Sequence, residues 1–225
     1  MKKDHRVRVA KVRRERMRAR LLQAVMECYA IRVLDATPTV EDVTASACVS
    51  RATFYKYFSS VEEAIEQRAG ELVDEMIESL KDMLGSQMRP ALLFTVSVRL
   101  FLTRSVLDPI WASFVARSDM LRADGVLFKG MTMHLNSSLS DGEFVFSDGQ
   151  AALTLAVGTM REAIKLISQM QQPRREFLDE VMTMILIGLG ANRERACLLV
   201  SEAATFIYDE APTRLNWWRD PWVAS

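Results

Sequence analysis

Between Ser50 and Phe58 the chain places Arg51, Thr53, Tyr55, Lys56 and Tyr57 around the apolar Phe54 and Phe58. A guanidinium, an ammonium, a hydroxyl and two phenols are donors that pair with phosphate oxygens and base edges. On a helix, Phe54 and Phe58 lie one turn apart on one face, which leaves the polar side chains to the others. The chemistry on offer is therefore recognition of a polyanion, and it needs a rigid support behind the helix.

The neighbouring sequence supplies that support. From Arg13 to about Ile31 the apolar residues Met17, Leu21, Leu22, Val25, Met26 and Tyr29 recur at steps of three and four, which predicts a first helix. A break over Asp35 to Pro38 precedes Thr39, an N-cap with Asp42 three positions on, and a second helix runs to about Ala47. After the turn Cys48-Val49, Ser50 caps a third helix through Phe58. Val40, Val43, Ala47, Val49, Phe54 and Phe58 form a small core, and residues 39–58 read as a helix-turn-helix whose second helix enters the major groove. Ser59 or Ser60 caps a fourth helix from Val61 to about Leu84, whose Glu62 and Glu63 suit the positive end of the helix dipole.

This stretch resembles the DNA-binding domain of the TetR family of bacterial transcriptional regulators. The matching residues are Thr39-Val40-Glu41-Asp42-Val43, Cys48-Val49-Ser50 and Thr53-Phe54-Tyr55-Lys56-Tyr57-Phe58, about 45 residues of the N-terminal third carrying the likeness. The resemblance implies phosphate contacts for Thr39 and Ser50, phosphate or sugar contacts for Tyr55 and Tyr57, and base-edge contacts for Arg51, Thr53 and Lys56. Two positions depart from the family pattern. Cys48 stands where a turn glycine is usual, and Val61 stands where a phosphate-binding lysine is common, which leaves Ser60 or the basic arm to take that contact.

The charge distribution agrees with a nucleic-acid-binding end. Formal net charge is zero, yet residues 1–20 hold ten basic side chains against two acidic ones. Residues 1–58 hold thirteen against six, and residues 59–225 hold sixteen against twenty-three. A basic arm that tracks the minor groove or flanking backbone is expected; alone, the same run could be a solvated tail. Cys28, Cys48 and Cys197 fit neither a disulfide framework nor a zinc site. With a charged N-terminus and no apolar run of membrane-spanning length, the expected compartment is the cytoplasm, without a membrane partner.

The expected fold class is all-α. Residues 1–70 form the basic arm and a three-helix helix-turn-helix domain, and residues 71–225 form a larger helical ligand-binding and dimerisation domain. Helices are predicted at about 89–106, 109–117, 122–139, 148–170, 174–189 and 193–208, punctuated by Pro90, Pro109, Gly142, Pro173 and Gly190. Glu143-Phe144-Val145-Phe146 alternates too briefly to build a sheet.

The family resemblance implies that the larger domain binds a small molecule and dimerises. Leu153, Val157, Met160 and Ile164, followed by Phe177, Val181, Met184 and Ile185, are the expected interface, with the monomer core as the other reading. Phe94, Phe101, Trp111, Phe114, Phe128, Met131 and His134 are the expected lining of an apolar effector pocket, each with ordinary core packing as its alternative. The tail Leu215–Trp222 holds three of the four tryptophans and is expected to pack on the body or across a dimer, a membrane or partner contact being the alternative.

No phosphate loop, nucleophile elbow, zinc motif or paired histidines occur, so neither an enzyme nor a cofactor is expected. The expected function is a ligand-responsive homodimeric repressor of a pseudo-palindromic operator in double-stranded DNA. An activator or a ligand-independent DNA-binding protein of the same fold, or a helical interaction protein without DNA specificity, remains open at this point.

Overall fold

The computed structural model describes residues 2–31, 37–84, 88–118 and 126–222, and among them every regular element is helical. The chain divides into two compact units, Met1–Glu71 and Leu72–Ser225. One continuous helix, α4 (Val61–Met83), belongs to both.

The first unit holds α1 (Lys2–Ile31), α2 (Val40–Ser46), α3 (Arg51–Phe54) and the first turns of α4. Leu21, Leu22, Ala24 and Val25 of α1 meet Val43, Ala47, Phe54 and Phe58, and Val61 and Ala64 of α4 close the core. Ion pairing of Arg18 with Glu71 and a 2.7 Å bond from Arg18 to Gln67 fasten α1 to α4. The predicted break begins at Asp35, outside the described residues; its end, Pro38, is buried ahead of α2. Thr39 and Asp42 make the reciprocal capping box expected of them.

Two differences matter. The first helix starts at Lys2, so the basic arm is a helical extension whose side chains from Arg8 to Arg16 are all exposed. The third helix ends at Phe54 and not at Phe58. Bonds from the amides of Lys56 to Thr53 (3.2 Å) and of Tyr57 to Phe54 (2.9 Å) tighten the backbone into a turn. Phe58 still returns to the core, 5.7 Å from the Phe54 ring.

The second unit is built on α5 (Pro90–Leu107), which packs against α7 (Val126–Ser140), α8 (Gly149–Gln169) and α10 (Arg193–Arg214), with α6 (Pro109–Arg117) on α8 and α9 (Arg175–Gly188) on α8 and α10. Helix α5 is long and apolar enough to cross a membrane, with mean hydropathy 1.4, but 78% of it is buried inside the protein. Its buried hydroxyls bond back to their own helix, Thr95 to Ala91 at 2.6 Å and Ser97 to Leu93 at 2.8 Å. Its two buried arginines reach carboxylates, Arg99 to Asp179 at 2.6 Å and Arg104 to Glu75 at 3.0 Å.

The predicted helix start at 122 lies outside the described residues. Helix α10 runs beyond the expected 208 to Arg214, through Pro212. The segment around Val145 is a loop crossing Gly190: the Val145 amide donates to Leu189 at 2.9 Å, and a Cβ on Gly190 (φ +91°) would meet the Val145 carbonyl oxygen at 2.3 Å. Only glycine fits that crossing.

Candidate functional site

The polar face of residues 50–57 stands on a sealed base. Phe54 and Phe58 are buried beneath it, while Arg51, Tyr55 and Lys56 are exposed and Thr53 and Tyr57 are half-buried. Ser50 accepts from the Thr53 amide at 3.2 Å, and the two hydroxyls lie 3.0 Å apart. Tyr55 is 57% exposed, whereas Tyr57 is half-buried and packs on the core. Arg51 is ion-paired with Glu41 of α2 across an exposed surface.

The expected phosphate contacts fare differently from one another. Thr39 directs its amide (2.7 Å) and its hydroxyl (2.6 Å) to the Asp42 carboxylate, so both donors are engaged inside the capping box. Ser60 accepts from the Glu63 amide at 3.1 Å, which leaves its own proton for an outside acceptor. Ser59 donates its hydroxyl and amide to Glu63, and that bonding holds the Glu63 carboxyl below the usual carboxylate range. Val61 is buried in the core, so no side chain at that position faces phosphate.

Composition did not reveal how the arm meets α3. Ala10, Arg13, Arg14 and Met17 of α1 and Thr53, Lys56 and Tyr57 line one cleft of about 520 Å³. The helical step of three and four between Ala10, Arg13, Arg14 and Met17 was the available signal. The arm and the α3 turn thus share one basic surface.

In the second unit Ile77, Leu80 and Lys81 of α4 and Leu84 just after its end face Ser97 of α5 and Gly130, Met131 and His134 of α7 across a cleft of about 460 Å³. Met131 and His134 were expected there, and the α4 wall was not. Its signal was the recurrence of Ile77, Leu80 and Leu84 on one helical stripe. Phe94, Phe101, Trp111, Phe114 and Phe128 do not border this cleft: all are buried, with Phe101 stacked on Phe128 at 6.4 Å and tilted on Trp111 at 6.3 Å. Ring-on-ring packing in the core absorbs them. Burial pushes the half-buried His134 imidazole below the ordinary histidine value, which keeps it neutral at pH 7 with one donor and one acceptor.

The expected interface residues need correction on α8 and at one position on α9. Leu153, Val157, Met160, Ile164 and Ile185 are buried within the chain's own core and cannot form a surface. The apolar residues that α8 and α9 leave exposed are Leu155, Leu166, Met184 and Ile187, with Met184 at 60%. Phe177 and Val181 are half-buried beside them and line a shallow groove with Gly158 and Leu166.

Among the described residues no cluster of metal-ligating side chains occurs. No family model and no curated protein matches the sequence. Solved structures do match. RolR in complex with resorcinol aligns with a TM-score of 0.63 at 24% identity, over 85% of this chain and 96% of its own. A gamma-butyrolactone receptor, ArpA-like, aligns at 0.62 and 16% over 88% and 99%, and a Clostridium perfringens protein described as a fatty acid metabolism regulator at 0.61 and 18% over 75% and 97%. At these identities the likeness is one of fold: the chain has the all-helical TetR-like architecture over nearly the full length of each neighbour.

Proposed function

We propose that this chain is a sequence-specific DNA-binding transcriptional regulator, a homodimeric repressor that reads a pseudo-palindromic operator in the bacterial cytoplasm and responds to a small apolar effector. The observation that carries this reading is the α3 turn. It projects Arg51, Thr53, Tyr55 and Lys56 from a Ser50-capped start while Phe54 and Phe58 anchor its other face.

On this reading α3 enters the major groove, with Arg51, Thr53 and Lys56 at base edges and Ser50, Tyr55, Tyr57 and Ser60 at the backbone. Arg51 must exchange Glu41 for DNA, so the pair is an intramolecular competitor for the base contact. The helical arm adds Arg13 and Arg14 beside Lys56. Thr39 acts chiefly through its cap, which holds α2 in place beneath α3.

Two copies meet through the exposed apolar residues of α8 and α9, which gives the two-fold symmetry a palindrome requires. The cleft against α4 takes the effector. Its aliphatic wall, one neutral imidazole and the Lys81 ammonium suit an apolar-bodied molecule with one hydrogen-bonding or anionic group. Fold neighbours bound to resorcinol or described as gamma-butyrolactone receptors support a small organic ligand of this kind. Because α4 lines the cleft and continues into the first unit, a ligand that favours one placement of α4 shifts the population able to bind DNA.

Selection of bound fragments from genomic DNA tests the function. The expected result is one enriched, two-fold-related sequence. Arg51→Ala and Tyr55→Ala should each lower affinity for it by roughly 10- to 100-fold without loss of helical content. Equal capture of all fragments, or unchanged affinity in both variants, rejects sequence-specific recognition through α3.

A further inference from the structure

Helix α10 covers α5 up to Ala211, and the tail Leu215–Trp222 extends the same core: Leu215 is buried in it, and Trp217 and Trp218 pack against it. The tail and the end of α10 also reach α4. The Trp217 indole N–H donates to the Ser79 hydroxyl at 3.0 Å, and Arg214, at the end of α10, donates to the Asp82 carbonyl at 2.9 Å. The Trp217 ring also lies 4.7 Å from the Arg104 guanidinium, which reaches Glu75 of α4 at 3.0 Å and stands 5.9 Å from the Trp111 ring.

Downstream, the segment is itself pinned. Trp218 meets the Tyr208 ring edge-on at 5.6 Å, the Tyr208 hydroxyl donates to Asp220 at 3.2 Å, and Arg219 donates to the Leu107 carbonyl. Burial and the Asp220 carboxylate push the Tyr208 phenol up to about 12, so this bond persists across the physiological range.

The residues gripped on α4 do not face the cleft. With about 100° of rotation per residue, Glu75 and Ser79 lie roughly opposite the stripe of Ile77, Leu80, Lys81 and Leu84. The cleft is therefore on one flank of α4 and the tail on the other. Ser79 is buried, and Arg104 is only 8% exposed, with no hydrogen-bond acceptor for its Nε and Nη1 among the described residues. A guanidinium half-satisfied in the interior is held by Glu75 and two indole faces, so the Trp217 ring reinforces the ion pair that links α4 to α5.

We propose that the C-terminal tail is a strap on α4, with Trp217 as its buckle, that restrains the helix and thereby sets how readily the cleft on its other flank admits a ligand. This rests on the proposed assignment of that cleft as the effector site. A ligand that wedges between α4 and α7 must move α4 toward the strap, and a looser strap makes that displacement easier.

Hydrogen exchange of the full-length protein, read by mass spectrometry, tests the restraint, and the dye 1-anilinonaphthalene-8-sulfonate, with its apolar body and anionic head, probes the cleft. Trp217→Phe keeps an aromatic ring and removes the indole donor; Ser79→Ala removes its acceptor and leaves the Trp217 side chain whole. Both should speed exchange of amides in 72–84 by about 5- to 10-fold, leave α8 and α9 unchanged, and tighten dye binding by about 3- to 5-fold. Met131→Trp, which fills the cleft, should abolish that dye binding in either background.

Unchanged exchange in α4, or equal acceleration in α8 and α9, overturns the strap, since the tail would then restrain nothing or merely stabilise the whole unit. Faster exchange with unaltered dye affinity separates the strap from the cleft and overturns the proposal. Dye binding that survives Met131→Trp refutes the cleft assignment itself, an outcome distinct from failure of the restraint.

Discussion

Cys48 shows most directly how a single residue carries a cost at this site. It is the one non-glycine residue with positive φ (+48°) among the described residues, at the turn between α2 and α3. The left-handed region costs an L-residue about 1–2 kcal/mol, while glycine gives back about 0.5–1 kcal/mol in unfolded-state entropy. Cys48→Gly should therefore raise the stability of the first unit by roughly 0.5–1 kcal/mol, seen as a higher urea midpoint with an unchanged slope. A lower midpoint would mean that the exposed thiol compensates through its 3.9 Å contact with the Ser46 carbonyl. This strain was legible in the sequence, because the turn demanded a conformation that only glycine adopts freely. The pairing of Arg51 with Glu41 was not, since it depends on how α2 crosses α3.

Among the elements, α1 differs most from a simple amphipathic helix. Its C-terminal half buries Leu21, Leu22 and Val25, while Arg8 to Arg16 expose side chains on every face. A helix stretch with no buried stripe gains little from tertiary packing, and its basic side chains are left accessible to an outside polyanion. Deleting residues 2–12 should weaken operator binding by roughly 10-fold or more in 0.1 M salt and flatten the dependence of affinity on salt, because fewer counterions are then released. Titrations at several salt concentrations that give parallel lines for both proteins would assign the arm no phosphate contacts. Helix α4 likewise does more than span the units. Its Ile77, Leu80 and Leu84 stripe makes one wall of the cleft, a role invisible while α7 and the tail are unplaced.

At the scale of the whole molecule, the proposed two-fold recognition rests on the face that α8 and α9 present. The buried members of those helices close the chain's own core, and Leu155, Leu166, Met184 and Ile187 stay exposed, the face proposed to meet a second copy. Gly188 permits the close approach of α9 to α8, since a Cβ there would stand 3.0 Å from a Leu155 methyl. Met184→Glu should leave helical content intact and shift sedimentation from dimer to monomer, at least 10-fold in dissociation constant, because a charge at a closely packed symmetric contact meets its own copy. An unchanged dimer would move the interface away from Met184.

Local signals determined most of the first unit. Caps at Thr39 and Ser50, the turn at Cys48 and the apolar pair Phe54 and Phe58 each act within a few residues, and short-range sterics and hydrogen bonding were enough to place them. Most described helix boundaries of the second unit were readable for the same reason, from prolines, glycines and periodicity; the end of α10 was not, because the helix continues through Pro212 to Arg214. Which apolar side chains became core, cleft or surface was decided only by the tertiary structure. Leu153 and Leu155, or Met184 and Ile185, are chemically equivalent neighbours separated by their direction around a helix and by what packs opposite. The hydrophobic effect is non-directional: it favours covering such residues, and the packing of α5 against its neighbours selects which are covered within the chain and which stay exposed.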